Sequence, residues 1–136
     1  MKRKSFQISS VAAVALLAFA GIRTLEARQA PSVKRNILLK QDMTIPGREA
    51  IMALVELPPG SSEGRHTHSA EVYGYVLDGT ISLEIEGKPT ATLKAGDTFS
   101  IAPGQIHQAS NNGSAMAKIV AMFVAEKGKP LTTQAP

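Results

Sequence analysis

The chain has 136 residues, a length that allows one domain, and it contains no cysteine, so neither disulfides nor a lipid anchor on cysteine can form. Aromatic side chains make up only 4% of the residues, so the core must be aliphatic. The formal net charge is +4, but residues 1–27 hold four of the fifteen basic side chains and one of the eleven acidic ones, which leaves the remainder at +1. That balance excludes electrostatic binding of nucleic acid by the rest of the chain.

The first element in chain order has the pattern of a secretory signal peptide. Lys2, Arg3 and Lys4 precede an apolar run at residues 11–22, and a small residue stands at Ala27. The run is too short to span a bilayer, which takes about 20 apolar residues. We therefore predict a signal peptide over residues 1–27, a periplasmic or secreted protein, and no membrane span after cleavage. An uncleaved N-terminal anchor is the alternative.

Residues 28–35 predict a polar linker, and short strands follow. Residues 49–57 alternate in polarity and end at Pro58-Pro59-Gly60, which limits them to the length of a strand. Residues 72–77 are rich in β-forming side chains and end at the Asp78-Gly79 turn signal.

The remaining elements repeat this pattern of strand and turn. Strands are predicted at residues 81–85, 90–93, 98–101 and 117–125, with turns between them. No segment after residue 30 has a helical period. We therefore expect a single all-β sandwich or barrel over residues 36–127 and a flexible tail over residues 128–136.

All three histidines of the chain belong to one constellation. His66 and His68 form an H-x-H pair, and His107 follows a Pro-Gly turn about forty residues later. Residues i and i+2 of a strand point to the same face, so the pair can present two imidazoles together. With His107 from another strand, the pattern predicts a site for one divalent transition metal such as Fe, Mn, Ni, Cu or Zn.

Two stretches around these histidines resemble the two motifs of the cupin superfamily. The first runs from Gly60 through the H-x-H pair to Gly79, and the second runs from Gly96 through Gly104 and His107 to Asn111. The resemblance covers most of the chain after the predicted signal peptide. It implies a cupin-type β-barrel, also described as a double-stranded β-helix or jelly roll. It also implies a small-molecule substrate or ligand and, because small cupins often pair through sheet edges, a homodimer.

The sequence departs from the family pattern at a residue that bears on metal ligation. The position of the family's glutamate ligand is Val72, and Glu71 stands one residue early. Strand parity turns Glu71 away from the histidines unless a β-bulge shifts the register. Two sites stay open at this point: one of His66, His68, His107 and Glu71, and one of the three histidines alone. The second resembles the sites of thiol-dioxygenase and diketone-cleaving cupins.

Three functions are compatible with such a site. An open, imidazole-rich site favours an O₂-using metal-dependent oxidoreductase of the dioxygenase type. The alternatives are a non-catalytic module that binds a small ligand such as a carbohydrate, and a metal-dependent isomerase or lyase. The last needs a positioned acid or base, and the sequence offers few inward-facing residues for that role.

Overall fold

The computed structural model describes residues 29–136, so the predicted signal peptide lies outside the described residues. In this part of the chain all regular structure is β-strand, and no helix could cross a membrane. The strands are β1 (Lys34–Asp42), β2 (Arg48–Leu57), β3 (His66–His68), β4 (Ala70–Asp78), β5 (Thr80–Ile85), β6 (Ala91–Lys94), β7 (Thr98–Ile101), β8 (His107–Ser110), β9 (Ala117–Glu126) and β10 (Thr132–Gln134).

The strands form two five-stranded antiparallel sheets, which confirms the predicted all-β jelly roll. The order is β1-β2-β9-β4-β7 in the first sheet and β10-β3-β8-β5-β6 in the second. Strands β2 and β9 alternate strictly between buried and half-buried positions over most of their length. Their apolar side chains therefore face the second sheet, and the aliphatic core lies between the two sheets.

Glycine is required at two positions, one within β4 and one in the turn that follows it. Gly74 lies on the inward face of β4, and the ring of Phe99 from the neighbouring strand β7 occupies the space that a Cβ would fill. Gly79, in the turn between β4 and β5, has a φ of 71° and packs against the backbone of Met116 and Ala117. Any side chain at either position would displace its neighbours.

Asn111 fixes the loop between β8 and β9 through its side chain. It is 1% exposed, and its amide nitrogen donates to the carbonyls of Leu57 at 2.8 Å and Ala115 at 2.7 Å. Its amide oxygen accepts from the Gly113 N–H at 2.9 Å. The loop is thus tied to the end of β2, and the backbone angle of Asn111 is ordinary.

The ordered structure extends further at both ends than the sequence predicts. Strand β1 begins at Lys34, inside the predicted linker, and pairs with β2 along its whole length. Residues 132–134, in the tail predicted to be flexible, form β10 and pair with β3. Both strands lie at sheet edges and carry many polar side chains, so neither has the apolar alternation by which a half-buried strand is recognised.

Candidate metal centre

Two neighbouring strands of the second sheet bring the three histidines together. His66 and His68 flank Thr67 on β3 and both point inward, as strand alternation requires. His107 begins β8 and is the register partner of His66. The histidines that the sequence singled out therefore lie on one inner wall of the barrel.

The imidazoles are close enough to share one ion. They are 2%, 7% and 5% exposed, and one ligand atom of each lies within 4.8 Å of the others. The Nε2 atoms of His66 and His68 are 3.2 Å apart. Two nitrogens bound to one tetrahedral ion at about 2.1 Å would lie roughly 3.4 Å apart. The observed separation fits such an ion.

The hydrogen bonds of the three Nδ1 atoms determine that the Nε2 atoms face the middle of the histidine group. His66 Nδ1 donates to the carbonyl of Gly64 at 2.7 Å, and His107 Nδ1 donates to that of Gln105 at 2.9 Å. His68 Nδ1 lies 3.2 Å from the carbonyl of Leu131 and 3.1 Å from Thr132 Oγ1. A carbonyl accepts only from a protonated nitrogen, so each neutral ring keeps its hydrogen on Nδ1 and turns the lone pair of Nε2 inward.

This tautomer means that the short contact between two Nε2 atoms cannot be a hydrogen bond between neutral rings. Neither nitrogen carries a hydrogen, and two lone pairs repel unless a cation lies between them. The arrangement is the one found around protein-bound metals, where the second ring nitrogen of each ligand is hydrogen-bonded to the protein. The donor set therefore fits a divalent transition metal.

Burial keeps the rings in the form that ligates. Desolvation, followed by the neighbouring His66 and His107, lowers the pKa of His68 from 6.5 to about 4. Desolvation also lowers the pKa of His107. These two imidazoles are thus neutral at neutral pH and need lose no proton to bind a metal.

Glu71 lies outside the group of three histidines. It is exposed on the outward face of β4, and its carboxylate accepts a hydrogen bond from the hydroxyl of Tyr73 at 2.9 Å. Val72 points inward instead and is 3% exposed. The register shift within β4 falls between Val76 and Asp78, too far along the strand to turn Glu71 inward. The geometry favours the site of three histidines without a carboxylate.

A small cavity of about 80 Å³ opens beside the histidines. Its walls are mainly apolar and come from both sheets, and His68 and His107 form part of them. Its lining includes Ile37, Val55, Val72, Leu83, Phe99, Ile119, Phe123 and Leu131. A ligand of the metal would therefore meet hydrocarbon on most sides and little water.

Two charged residues that the sequence did not point to also line this cavity. Arg35 Nη2 donates to Glu63 Oε1 at 2.9 Å, and the side chain of Glu63 is only 11% exposed. Arg35 was missed because it falls in the segment predicted to be a linker. For Glu63, three residues before His66, the sequence predicted only that it lies in the loop that follows Gly60.

The family assignment follows from comparison with known proteins. The profile of the cupin domain matches residues 53–123, more than half of the chain. The matched segment contains the three histidines and most strands of both sheets. The chain belongs to the cupin family.

Individual relatives agree with this assignment. The chain is 33% identical over 91 residues to an oxalate-binding protein of Thermotoga maritima, covering 65% of this chain and 72% of that one. It is 35% identical over 92 residues to germin-like protein subfamily 2 member 1 of Arabidopsis thaliana, covering 60% of this chain but only 41% of the longer plant protein. A Klebsiella pneumoniae protein with a double-stranded β-helix domain has the same fold, with a TM-score of 0.63 at 24% identity over 78% of this chain and 89% of that one.

Proposed function

We propose that this cupin holds one divalent transition metal on His66, His68 and His107 and uses O₂ to oxidise a small molecule. The observation that carries the proposal is the convergence of three Nε2 lone pairs, with no carboxylate among them, at the wall of an apolar cavity. Three protein ligands leave positions open for substrate and O₂. The ion, when bound, supplies a redox-active Lewis acid.

The residues of the chain have three tasks in such a reaction. The carbonyls of Gly64, Gln105 and Leu131 orient the imidazoles. The apolar walls exclude water, which strengthens electrostatic interactions within the cavity. The volume of the cavity limits the substrate to a small molecule or to the end of a larger one.

The test combines metal analysis with oxygen consumption. We expect one ion per chain after loading with Fe(II) or Mn(II), and O₂ uptake with at least one member of a panel of small thiols, 1,3-diketones and carboxylic acids. His68→Ala should lose most of the bound metal and all O₂ uptake. Glu71→Gln, which changes a carboxylate outside the cavity, is the matched control and should behave as wild type. Protein that binds no metal under any loading condition would contradict the proposal.

A lyase or isomerase is a second candidate, because Glu63 places a carboxylate in the cavity wall. Chemistry of this kind needs an acid or base near the metal, and Glu63 is the carboxylate among the described residues that lines this cavity. Turnover without O₂ that is lost in Glu63→Gln, while metal content stays constant, would favour this candidate. O₂-dependent turnover would favour the oxidoreductase.

A third candidate, a binding protein without catalysis, is supported by the name of the Thermotoga maritima relative, which describes an oxalate-binding protein. Saturable binding of a small anion by metal-loaded protein, without turnover under air, would select it.

We also propose that the protein is exported and that its signal peptide is removed. The charge and hydrophobicity pattern of residues 1–27 supports this. Intact-mass measurement on protein from the periplasm or medium tests it, with a mass that begins near residue 28 as the expected result. Full-length protein in the cytosol would contradict export.

A further inference from the structure

We propose that the cavity binds a small monocarboxylate with an apolar body and that Arg35 recognises its carboxylate group. The proposal names a substrate class for the site. It rests on the proposed function only where it treats the bound carboxylate as a substrate. Its basis is the position of one guanidinium in the wall of a mainly apolar cavity that also contains Glu63 and two of the histidines.

Arg35 is held in the cavity wall by a carboxylate that is itself fixed. Glu63 Oε2 accepts from the backbone N–H of Ala109 at 3.3 Å, and the backbone N–H of Glu63 donates to the carbonyl of Ala109 at 3.0 Å. Glu63 is thus attached to β8 of the second sheet, whereas Arg35 belongs to β1 of the first. The ion pair bridges the sheets and fixes the direction of the guanidinium.

The guanidinium keeps donors for a ligand. A guanidinium has five N–H groups, and the ion pair with Glu63 uses Nη2. The side chain of Arg35 is 47% exposed, so a molecule entering the cavity can reach it. A carboxylate can accept two parallel N–H groups from the planar fork of an arginine. Arg35 can therefore bind Glu63 and a ligand together.

The charge of the cavity favours an anion. The charges of Arg35 and Glu63 cancel, so a divalent ion on the neutral histidines leaves a net +2. The ion pair and two of the histidines line the same cavity, so a ligand there lies near both Arg35 and the ion. A carboxylate would reduce the excess positive charge, whereas a neutral ligand would leave it in place.

The rest of the cavity selects against polyhydroxylated ligands such as carbohydrates. Apart from the histidines, Arg35, Glu63 and Thr132 are the polar residues among those that line it. Most hydroxyl groups of a sugar would lose their hydrogen bonds to water and find no partner. Hydrocarbon would instead pack against side chains such as Ile37, Ile119 and Phe123.

The experiment uses matched pairs of acid and amide. Isobutyrate and isobutyramide, and propionate and propionamide, are titrated calorimetrically into metal-free and Zn²⁺-loaded protein, so that binding is measured without redox chemistry. We expect each acid to bind at least tenfold more tightly than its amide. Arg35→Gln should weaken binding of the acids about tenfold or more and leave that of the amides unchanged, and Arg35→Lys should give an intermediate loss.

Arg65→Gln is the matched control. Arg65 forms an ion pair with Glu86 at the same distance of 2.9 Å and is 46% exposed, but it does not line this cavity. We expect wild-type affinities for it. Circular dichroism and zinc content verify that each variant is folded and loaded, and Arg35→Lys carries the test if Arg35→Gln is unstable.

Three results would overturn the proposal: no saturable binding of either acid to loaded wild-type protein, equal affinity for acid and amide, or an unchanged affinity for the acids in both Arg35 variants. These results are distinct from failure of the proposed function. If the protein binds carboxylates through Arg35 but consumes no O₂, the result supports this proposal and not the oxidoreductase function. If it consumes O₂ with a thiol but binds no acid, the result supports the oxidoreductase function and not this proposal.

Discussion

At the scale of single residues, His68 links the chemistry of the site to the stability of the protein. In the metal-free protein its pKa is lowered from 6.5 to about 4, first by desolvation and then by its histidine neighbours. Between these pH values the unfolded chain binds a proton that the folded chain does not, so stability falls as the pH falls.

We therefore expect metal-free wild type to lose stability progressively from about pH 6.5 to about pH 4. His68 should contribute roughly 2 kcal/mol to this loss, after allowance for partial solvent screening. Urea unfolding at several pH values measures the loss. His68→Gln, which does not titrate, should show a shallower slope over the same window, and an equal slope would contradict the assignment to His68.

The orientations of Glu71 and Val72 favour the site of three histidines over the site that includes Glu71. Because Glu71 is exposed and engaged by Tyr73, we expect Glu71→Ala to leave metal affinity within about twofold of wild type. Elemental analysis after dialysis against a graded chelator gives the measurement, with His107→Ala as the variant that loses metal. A collapse of occupancy in Glu71→Ala would mean that the carboxylate turns inward when the ion binds.

Some residues of the candidate site could be predicted from the sequence and others could not. The spacing of His66 and His68 predicted that their imidazoles share one inward face, because strand parity is a local property. The ion pair of Arg35 and Glu63 joins residues 28 positions apart and depends on the pairing of β1 with β2, which no local pattern encodes.

At the scale of elements, β10 contributes to the surroundings of the candidate metal centre. It places the carbonyl of Leu131 and the hydroxyl of Thr132 beside His68 Nδ1. Strands such as β5, β7 and β9 were predictable to within one or two residues because their apolar alternation is clear. Strand β10 was not, because its sequence TTQ is polar and all three residues are exposed.

We predict that Thr132→Val weakens metal binding by roughly tenfold, the lower end of the effect expected for a residue that orients a ligand, since the carbonyl of Leu131 remains. Thr133→Val, on the neighbouring residue and level with Thr67 rather than His68, is the control and should have no effect. Competition with a chromogenic zinc chelator measures both affinities. Equal affinities in the two variants would mean that Thr132 has no part in holding the imidazole.

At the scale of the whole molecule, the first sheet carries several large apolar side chains that are exposed. Ile37, Leu38 and Leu39 on the edge strand β1 are 58%, 56% and 43% exposed. Tyr73 and Tyr75 on the outer face of β4 are 50% and 45% exposed. Exposed apolar surface at a sheet edge favours association.

We expect a homodimer in solution that depends on β1. Leu38→Lys should shift the protein towards monomer, because a buried lysine at the contact is costly. Thr92→Lys, on the edge strand β6 of the other sheet, is the matched control and should leave the dimer intact. Sedimentation equilibrium distinguishes these outcomes, and a wild-type monomer at high micromolar concentration would contradict the prediction.

The contact between His68 and β10 also has a consequence for the order of events during synthesis. The imidazole and Thr132 are 64 residues apart in the chain, so a nascent chain that already contains all three histidines still lacks the strand that orients one of them. In the proposed site, an ion captured at that stage would bind three histidines of which His68 is not yet held in orientation, and it would exchange readily. In the proposed site, selection of the metal would therefore follow the synthesis of residue 132 and the pairing of β10 with β3, and it would depend on the metals present in the compartment where that pairing takes place.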